Sequence, residues 1–170
     1  MTKKILVAYA TYTGSTAGVA ERIGQTLTSA DVTAEVKPVD QITSLDGYDA
    51  VVVGSPVRAG QLHKDMLAFL GARQPQLAAL PVAYFVVCMS MKEDTPEQRC
   101  EADAYLNAAR QAAPGVQPIS AGLFAGAIDM KKLAFPLRLI MKAMKAEPGD
   151  YRDWEKIDAW VREIQPKLVA

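Results

Sequence analysis

Cysteine, histidine and net charge are all scarce in this sequence, and each shortage closes off a class of protein. Cys88 and Cys100 are the only cysteines among 170 residues. They are too few for a disulfide framework and lack the CxxC spacing of a redox pair, so a reducing cytoplasm is the expected setting. His63 is the only histidine. That leaves no metal-ligand cluster and no Ser-His-acid arrangement on a nucleophile elbow, and no metal is expected. Lys plus Arg equals Asp plus Glu at 19 each, so the basic footprint of a nucleic-acid binder is missing. No apolar run reaches the ~18 residues of a membrane span. The apolar run near the N-terminus, about six residues, is shorter than the core of a signal peptide. There is no internal repeat and no low-complexity linker, and the length predicts one domain over 1–170.

What is present is alternation. The runs "ILVAY" (5–9), "AVVVG" (50–54) and "VAYFVVCM" (82–89) are nearly continuous in apolar residues and bounded by turn residues. They read as strands buried on both faces of a parallel sheet. In "VTAEVKPV" (32–39) apolar and polar residues alternate up to Pro38, as suits an edge strand. A fifth, weaker strand falls within 116–128, where glycines interrupt the run. Between them, helical patterns occupy 15–29, 63–73, 95–113 and about 154–168. Thr95 and Pro96 open the third of these, and Asp150 or Asp153 caps the fourth. Right-handed crossovers and an edge-type second strand predict a three-layer, doubly wound α/β fold. Its five-stranded parallel sheet has the order 2-1-3-4-5, numbered along the chain.

In such a sheet ligands sit beyond the carboxyl ends of the strands, at the switch point beside the first strand. There the sequence reads Thr11-Tyr12-Thr13-Gly14-Ser15-Thr16 and turns helical. Hydroxyls, a permissive glycine and a helix N-terminus make a seat for an anion such as a phosphate. The loop contains no Lys or Arg, so the expectation is a phosphate held by neutral donors and the helix dipole. The alternative is a helix start whose hydroxyls cap its own N–H groups and bind nothing. GxxxxGK[ST] and GxGxxG are both absent, which argues against nucleoside triphosphate and dinucleotide loops. Gly54-Ser55-Pro56 stands where a receiver domain would carry its acidic phospho-acceptor.

With these residues in view, the chain resembles the flavodoxins. "TYTGST" is similar to their FMN-phosphate loop, and "YDAVVVGSPVRAGQ" to their third strand and the flavin-contacting loop after it. Segments 51–70, 137–150 and 151–164 extend the likeness to the flavodoxin-like menaquinone-dependent protoporphyrinogen oxidases of heme biosynthesis, with an insert around 129–150 before the last helix. The resemblance implies an FMN-binding redox protein. Thr11, Tyr12, Thr13, Gly14, Ser15 and Thr16 would cradle the phosphate. Ser55, Pro56, Val57, Arg58, Ala59 and Gly60 would lie along one side of the flavin, and Cys88, Met89, Ser90 and Met91 along another. It implies electron transfer to a quinone, or alternatively a carrier that docks on redox protein partners. A scaffold that has lost its cofactor is a third alternative.

Several residues depart from that pattern. Neither "SPVRAGQ" nor "CMSMKED" carries the aromatic side chains with which flavodoxins often sandwich the ring. Trp154 and Trp160 read as packing residues, His63 as a surface residue, and Cys88 as a buried structural thiol. Arg58 either favours negative charge on the reduced flavin, which would raise its potential, or is a solvated loop arginine. A neutral chain lacks the acidic steering field of a shuttle, which favours an enzyme with a small-molecule partner. From Pro136, Leu137, Ile140, Met141 and Met144 share a helical face, and Arg138, Lys142 and Lys145 another. This basic amphipathic stretch, 136–146, suits peripheral contact at the inner membrane face, where quinones reside, or packing on the domain.

Overall fold

The computed structural model describes residues 2–145 and 147–170; residue 146, within the stretch just named, lies outside them. Strand β1 (Lys3–Tyr9) leads into helix α1 (Ser15–Leu27) and strand β2 (Val32–Pro38). A single 3-10 turn at Val39–Gln41 precedes β3 (Ala50–Arg58), which doubles back as β4 (Gln61–Leu62). Helices α2 (Lys64–Ala72) and α3 (Gln74–Ala78) precede β5 (Val82–Val87), and α4 (Pro96–Tyr105) and α5 (Asn107–Ala112) precede β6 (Ala121–Phe124). The chain ends with β7 (Ala127–Ile128), α6 (Phe135–Ala143), β8 (Gly149–Asp150) and α7 (Trp154–Leu168).

The main sheet runs β2-β1-β3-β5-β6, all parallel, with β4 antiparallel on the end of β3. Without that hairpin strand the order is 2-1-3-4-5, as the alternation predicts. β2 is an edge, and its Pro38 pairs with Tyr9 at the last register position. The three apolar runs become β1, β3 and β5, and each is covered on both faces. One core packs Ile5, Val7, Val52 and Phe85 under α1 and α7. The other packs Leu6, Val51, Val53 and Tyr84 under α2 and α5. Because both faces are dry, polar residues had no place in the alternation, which is why these strands read as unbroken apolar runs. Gly54 is required where it stands: a Cβ there would lie 1.9 Å from Phe85 Cζ.

The helix expected over 95–113 is divided at Leu106, whose N–H donates to Asp103 O at 3.0 Å in a tighter 3-10 turn. Its start is as predicted: Thr95 Oγ1 accepts from Gln98 N–H at 3.2 Å, ahead of Pro96. Asp153 caps α7, accepting from Lys156 N–H at 3.1 Å. Asp150 instead pairs with Arg152 at 2.6 Å. Helices α1 and α7 are clamped by Asp158, which accepts from Arg22 at 2.6 and 2.8 Å and from Thr26 Oγ1 at 2.8 Å. The Arg22 guanidinium draws the Asp158 carboxyl down to about 2.

The stretch between β7 and β8 forms its own unit. Ala127 pairs with Asp150 and Ile128 with Gly149, closing a two-stranded neck. From this neck emerge a 3-10 turn at Met130–Lys132 and then α6. Tyr151 N–H donates to Gly126 O at 3.0 Å, tying the neck to the end of β6. Helix α6 is thereby carried to the carboxyl ends of the strands.

Candidate functional site: a groove at the strand carboxyl ends

Gly14 holds the turn between β1 and α1. Its φ of 98° is a left-handed conformation that suits glycine. Its N–H donates to Thr11 Oγ1 at 2.9 Å, and its carbonyl accepts the first helical bond, from Gly18 N–H at 3.2 Å. As the cap residue it offers no side-chain acceptor to the first turn of α1, so the N-terminal N–H groups face outward uncapped by it. Thr16, in the first turn of α1, is wholly buried, and its Oγ1, like the hydroxyl of Tyr84 in the core, has no hydrogen-bond partner among the described residues. A buried hydroxyl left unpaired costs free energy that folding would not ordinarily tolerate. The donor types fit a phosphate: a helix start without a side-chain cap, the hydroxyls of Thr13 and Ser15 at the recess, and an unpaired hydroxyl on Thr16 in the same turn.

The loop itself carries no cation, but the fold supplies one. Lys132 Nζ lies 3.9 Å from the position a Cβ on Gly14 would occupy. Lys131, Lys132 and Arg152 border the same recess, of about 470 Å³, as Thr13, Gly14 and Ser15. Arg152 is engaged with Asp150, and its Nη1 reaches Ser15 O at 3.4 Å. Lys132 is 118 residues away from Gly14 along the chain (132 minus 14), and nothing in the local motif points to it.

A second recess, about 210 Å³, continues from the first and shares Thr13, Ser15, Ala127, Ile128 and Asp129 with it. Tyr12, Arg58, Ala59, Cys88 and Met89 line one side, and Leu133, Leu137 and Met141 of the insert close the other. Thus Tyr12, Thr13, Ser15, Pro56, Val57, Arg58, Ala59, Cys88 and Met89, all expected from sequence, come together on one cavity. Leu137 and Met141, expected to share a helical face for membrane contact or packing on the domain, line this cavity, a place their i, i+4 spacing alone did not point to.

The first loop does carry an aromatic at the cavity, Tyr12, but its ring is already stacked. Tyr12 is sandwiched between the Arg58 guanidinium, 3.8 Å from its ring centroid, and the His63 ring, at 4.3 Å and 30°. Arg58 is therefore a stacked arginine at the cavity rim, fixed by a cation–π contact. His63 is buried, contrary to the surface position expected for it. It caps α2 through Nδ1, which accepts from Asp65 N–H at 3.1 Å, while Tyr12 covers its face.

Other expected residues have different duties. Ser55 is wholly buried; its hydroxyl accepts from His63 N–H and donates to Pro56 O, both at 2.8 Å, which locks the β3–β4 hairpin. Ala59 and Gly60, with φ of 52° and 73°, form the two-residue turn of that hairpin, between the Arg58–Gln61 pair. A left-handed alanine costs roughly 1–2 kcal/mol, and here it aims Arg58 over Tyr12. Thr11 borders a separate cleft with Asp40 and His63. Ser90 and Met91 belong to the 3-10 turn Met89–Lys92, with Met91 in the core. Burial pushes the Cys88 thiol up to about 11, so it sits at the cavity as a neutral group. Trp160 packs on Phe124 at 5.5 Å, and its Nε1 donates to Ser120 Oγ at 3.0 Å. Among the described residues no group of three or more His, Cys, Asp or Glu could hold a metal ion.

Fold and groove together define a flavodoxin-type domain. The chain matches the Flavodoxin domain family over residues 6–155 and belongs to that family. It is 26% identical, over 175 aligned residues, to the protoporphyrinogen IX dehydrogenase [quinone] of Escherichia coli K12, covering 95% of this chain and 94% of that protein. Among solved structures it is similar to oxidised Flavodoxin 1 from Bacillus cereus, with a TM-score of 0.63, 17% identity and coverage of 99% and 100%. It is also similar to the Fusobacterium nucleatum flavodoxin bound to flavin mononucleotide, with a TM-score of 0.53, 16% identity and coverage of 98% and 99%. Among the described residues no helix is long and apolar enough to cross a membrane.

Proposed function

We propose that this chain binds FMN noncovalently and acts as an oxidoreductase that passes reducing equivalents from a small organic donor to a quinone. The observation that carries the reading is the continuity of the two recesses. One end, bordered by Thr13, Gly14, Ser15 and Lys132, offers a phosphate seat at the start of α1, and the other an apolar recess rimmed by Arg58. FMN has that same polarity along its length. The uncapped N–H groups of α1, Thr16 Oγ1 and Lys132 would hold the phosphate. Arg58-Ala59 and Cys88-Met89 would flank the ring. FMN, when bound, supplies the one- and two-electron chemistry. The protein's part is to bind, orient and tune it: Arg58 favours negative charge on the ring system, while Leu133, Leu137 and Met141 keep water from one flank of the recess.

The insert also bears on the choice between enzyme and carrier. By roofing the recess with apolar side chains, it makes a binding place for an organic substrate beside the ring, and the chain's zero net charge gives no overall steering toward a protein partner. The likeness to a protoporphyrinogen IX dehydrogenase [quinone] suggests the candidate pair: protoporphyrinogen IX as donor and a quinone as acceptor. Each hydrogen pair taken from the donor would leave on one quinone. The test is anaerobic turnover of protoporphyrinogen by the flavin-loaded protein, with and without a menaquinone analogue. Quinone-dependent formation of protoporphyrin supports the enzyme. Bound flavin that exchanges electrons only with a reductase protein removes the enzyme reading in favour of a carrier. A protein that takes up no FMN removes both.

A further inference from the structure

Helix α6 is reversed for a helix on the surface of a globular domain. Its inward residues Leu137 and Met141 line the cavity, and Arg138 is half-buried with its Nη2 donating to Leu133 O at 3.1 Å. The remaining arc should then be polar. Instead it holds Phe135 and Ile140, 70% and 53% exposed, with Leu139 at 53% and Met144 at 72% just past the helix end. At ~100° per residue, Phe135, Leu139, Ala143, Pro136 and Ile140 form one unbroken outward band about 140° wide. The sequence expected Ile140 and Met144 to share a face with Leu137 and Met141; burial divides that set, two inward and two outward.

The charges around the band are of one sign. Residues 131–145 contain five cations, Lys131, Lys132, Arg138, Lys142 and Lys145, and no acidic residue, in a chain whose total charge is zero. Lys131, Lys142 and Lys145 are exposed around the apolar band. We infer that α6 is a docking surface for an anionic lipid bilayer: it lies flat in the interface, with Phe135, Leu139, Ile140 and Met144 among the upper acyl chains and the lysines at headgroup phosphates. A nine-residue helix is far too short to span, but an in-plane position needs only an apolar face and cationic flanks. Protein partners fit the surface less well. Lysine is depleted from protein interfaces, and two copies meeting about a twofold axis would bring the exposed lysines of the surface face to face. The inference is independent of FMN.

Co-sedimentation of the full chain with vesicles of phosphatidylcholine alone, or with added phosphatidylglycerol, tests it. The expected result is binding to the phosphatidylglycerol vesicles at low salt, reduced by salt and weak on neutral vesicles. Lys142→Gln and Lys145→Gln should each weaken binding about fivefold. Phe135→Ser with Ile140→Ser should abolish it while leaving the melting temperature unchanged, since both side chains are exposed. A wild type that stays in the supernatant at low salt overturns the inference. So does equal binding to neutral vesicles, or sedimentation as a dimer that the same substitutions dissociate.

Discussion

Replacing Thr16 by valine sets the stability of the protein against its affinity for FMN. Valine keeps the branched shape of the wholly buried threonine and removes its hydroxyl, a buried group without a hydrogen-bond partner among the described residues. An unsatisfied buried hydroxyl costs about 1–3 kcal/mol. Local relaxation recovers part of that, so the variant without flavin should be more stable by about 1 kcal/mol. For a chain of this size the melting temperature should rise by roughly 2–4 °C. With FMN the sign reverses. A hydrogen bond to a charged phosphate contributes about 1.5–3 kcal/mol, so FMN affinity should fall roughly ten- to hundredfold. Riboflavin, which lacks the phosphate, should bind both proteins alike. Thermal melts of the flavin-free proteins and fluorescence titrations with the two flavins provide the readings. A variant that melts lower and binds FMN as the wild type does would show that the hydroxyl serves the fold, and the phosphate seat would lose its main support.

Three further outcomes follow from other parts of the molecule. Lys132→Gln should weaken FMN by about two- to fivefold, the scale of an exposed ion pair. It should also flatten the salt dependence of binding and leave riboflavin untouched; equal losses for both flavins would place Lys132 outside the phosphate's reach. Arg58→Ala should make the flavin potential more negative, because a guanidinium at the rim favours the negatively charged ring; an unchanged midpoint in a spectroscopic redox titration removes that role. The clamp between α1 and α7 makes stability acid-sensitive. Asp158 is held at about 2 against an ordinary 3.8, so its contribution is complete above about pH 4 and disappears as pH falls toward 2. Its size is at most about 2 kcal/mol, and smaller in salt because Arg22 is 41% exposed. Denaturant unfolding of wild type and Asp158→Asn across that window should converge at the acid end; parallel curves would refute the assignment.

How far the sequence reaches is clearest in the first strand and the loop after it. The apolar run 5–9 and the hydroxyl-rich stretch to Thr16 are local statements. Burial on two faces forces an unbroken apolar strand, and a tight turn into a helix requires a residue such as Gly14, so strand and turn were legible, and with them the place where the anion seat is proposed. Pro38 marked the edge for the same reason, since a proline's missing N–H is tolerated where one side of the strand has no neighbour. What concerns side chains meeting across the fold was not legible. Lys132 reaches Gly14 only because the β7–β8 neck turns the insert back over the strand ends. His63 is buried because Tyr12, fifty-one positions earlier (63 minus 12), stacks on it. Ser55 lies in a loop-like motif, yet a hairpin consumes its hydroxyl. In α6 the period of apolar residues showed amphipathicity, but with apolar side chains over most of its circumference, only packing could decide that Leu137 and Met141 turn inward while Phe135, Leu139 and Ile140 remain in solvent. Backbone propensity and burial pattern are written residue by residue; which distant groups become neighbours depends on the handedness of the crossovers and the geometry of the neck, and those exist only once the chain has folded.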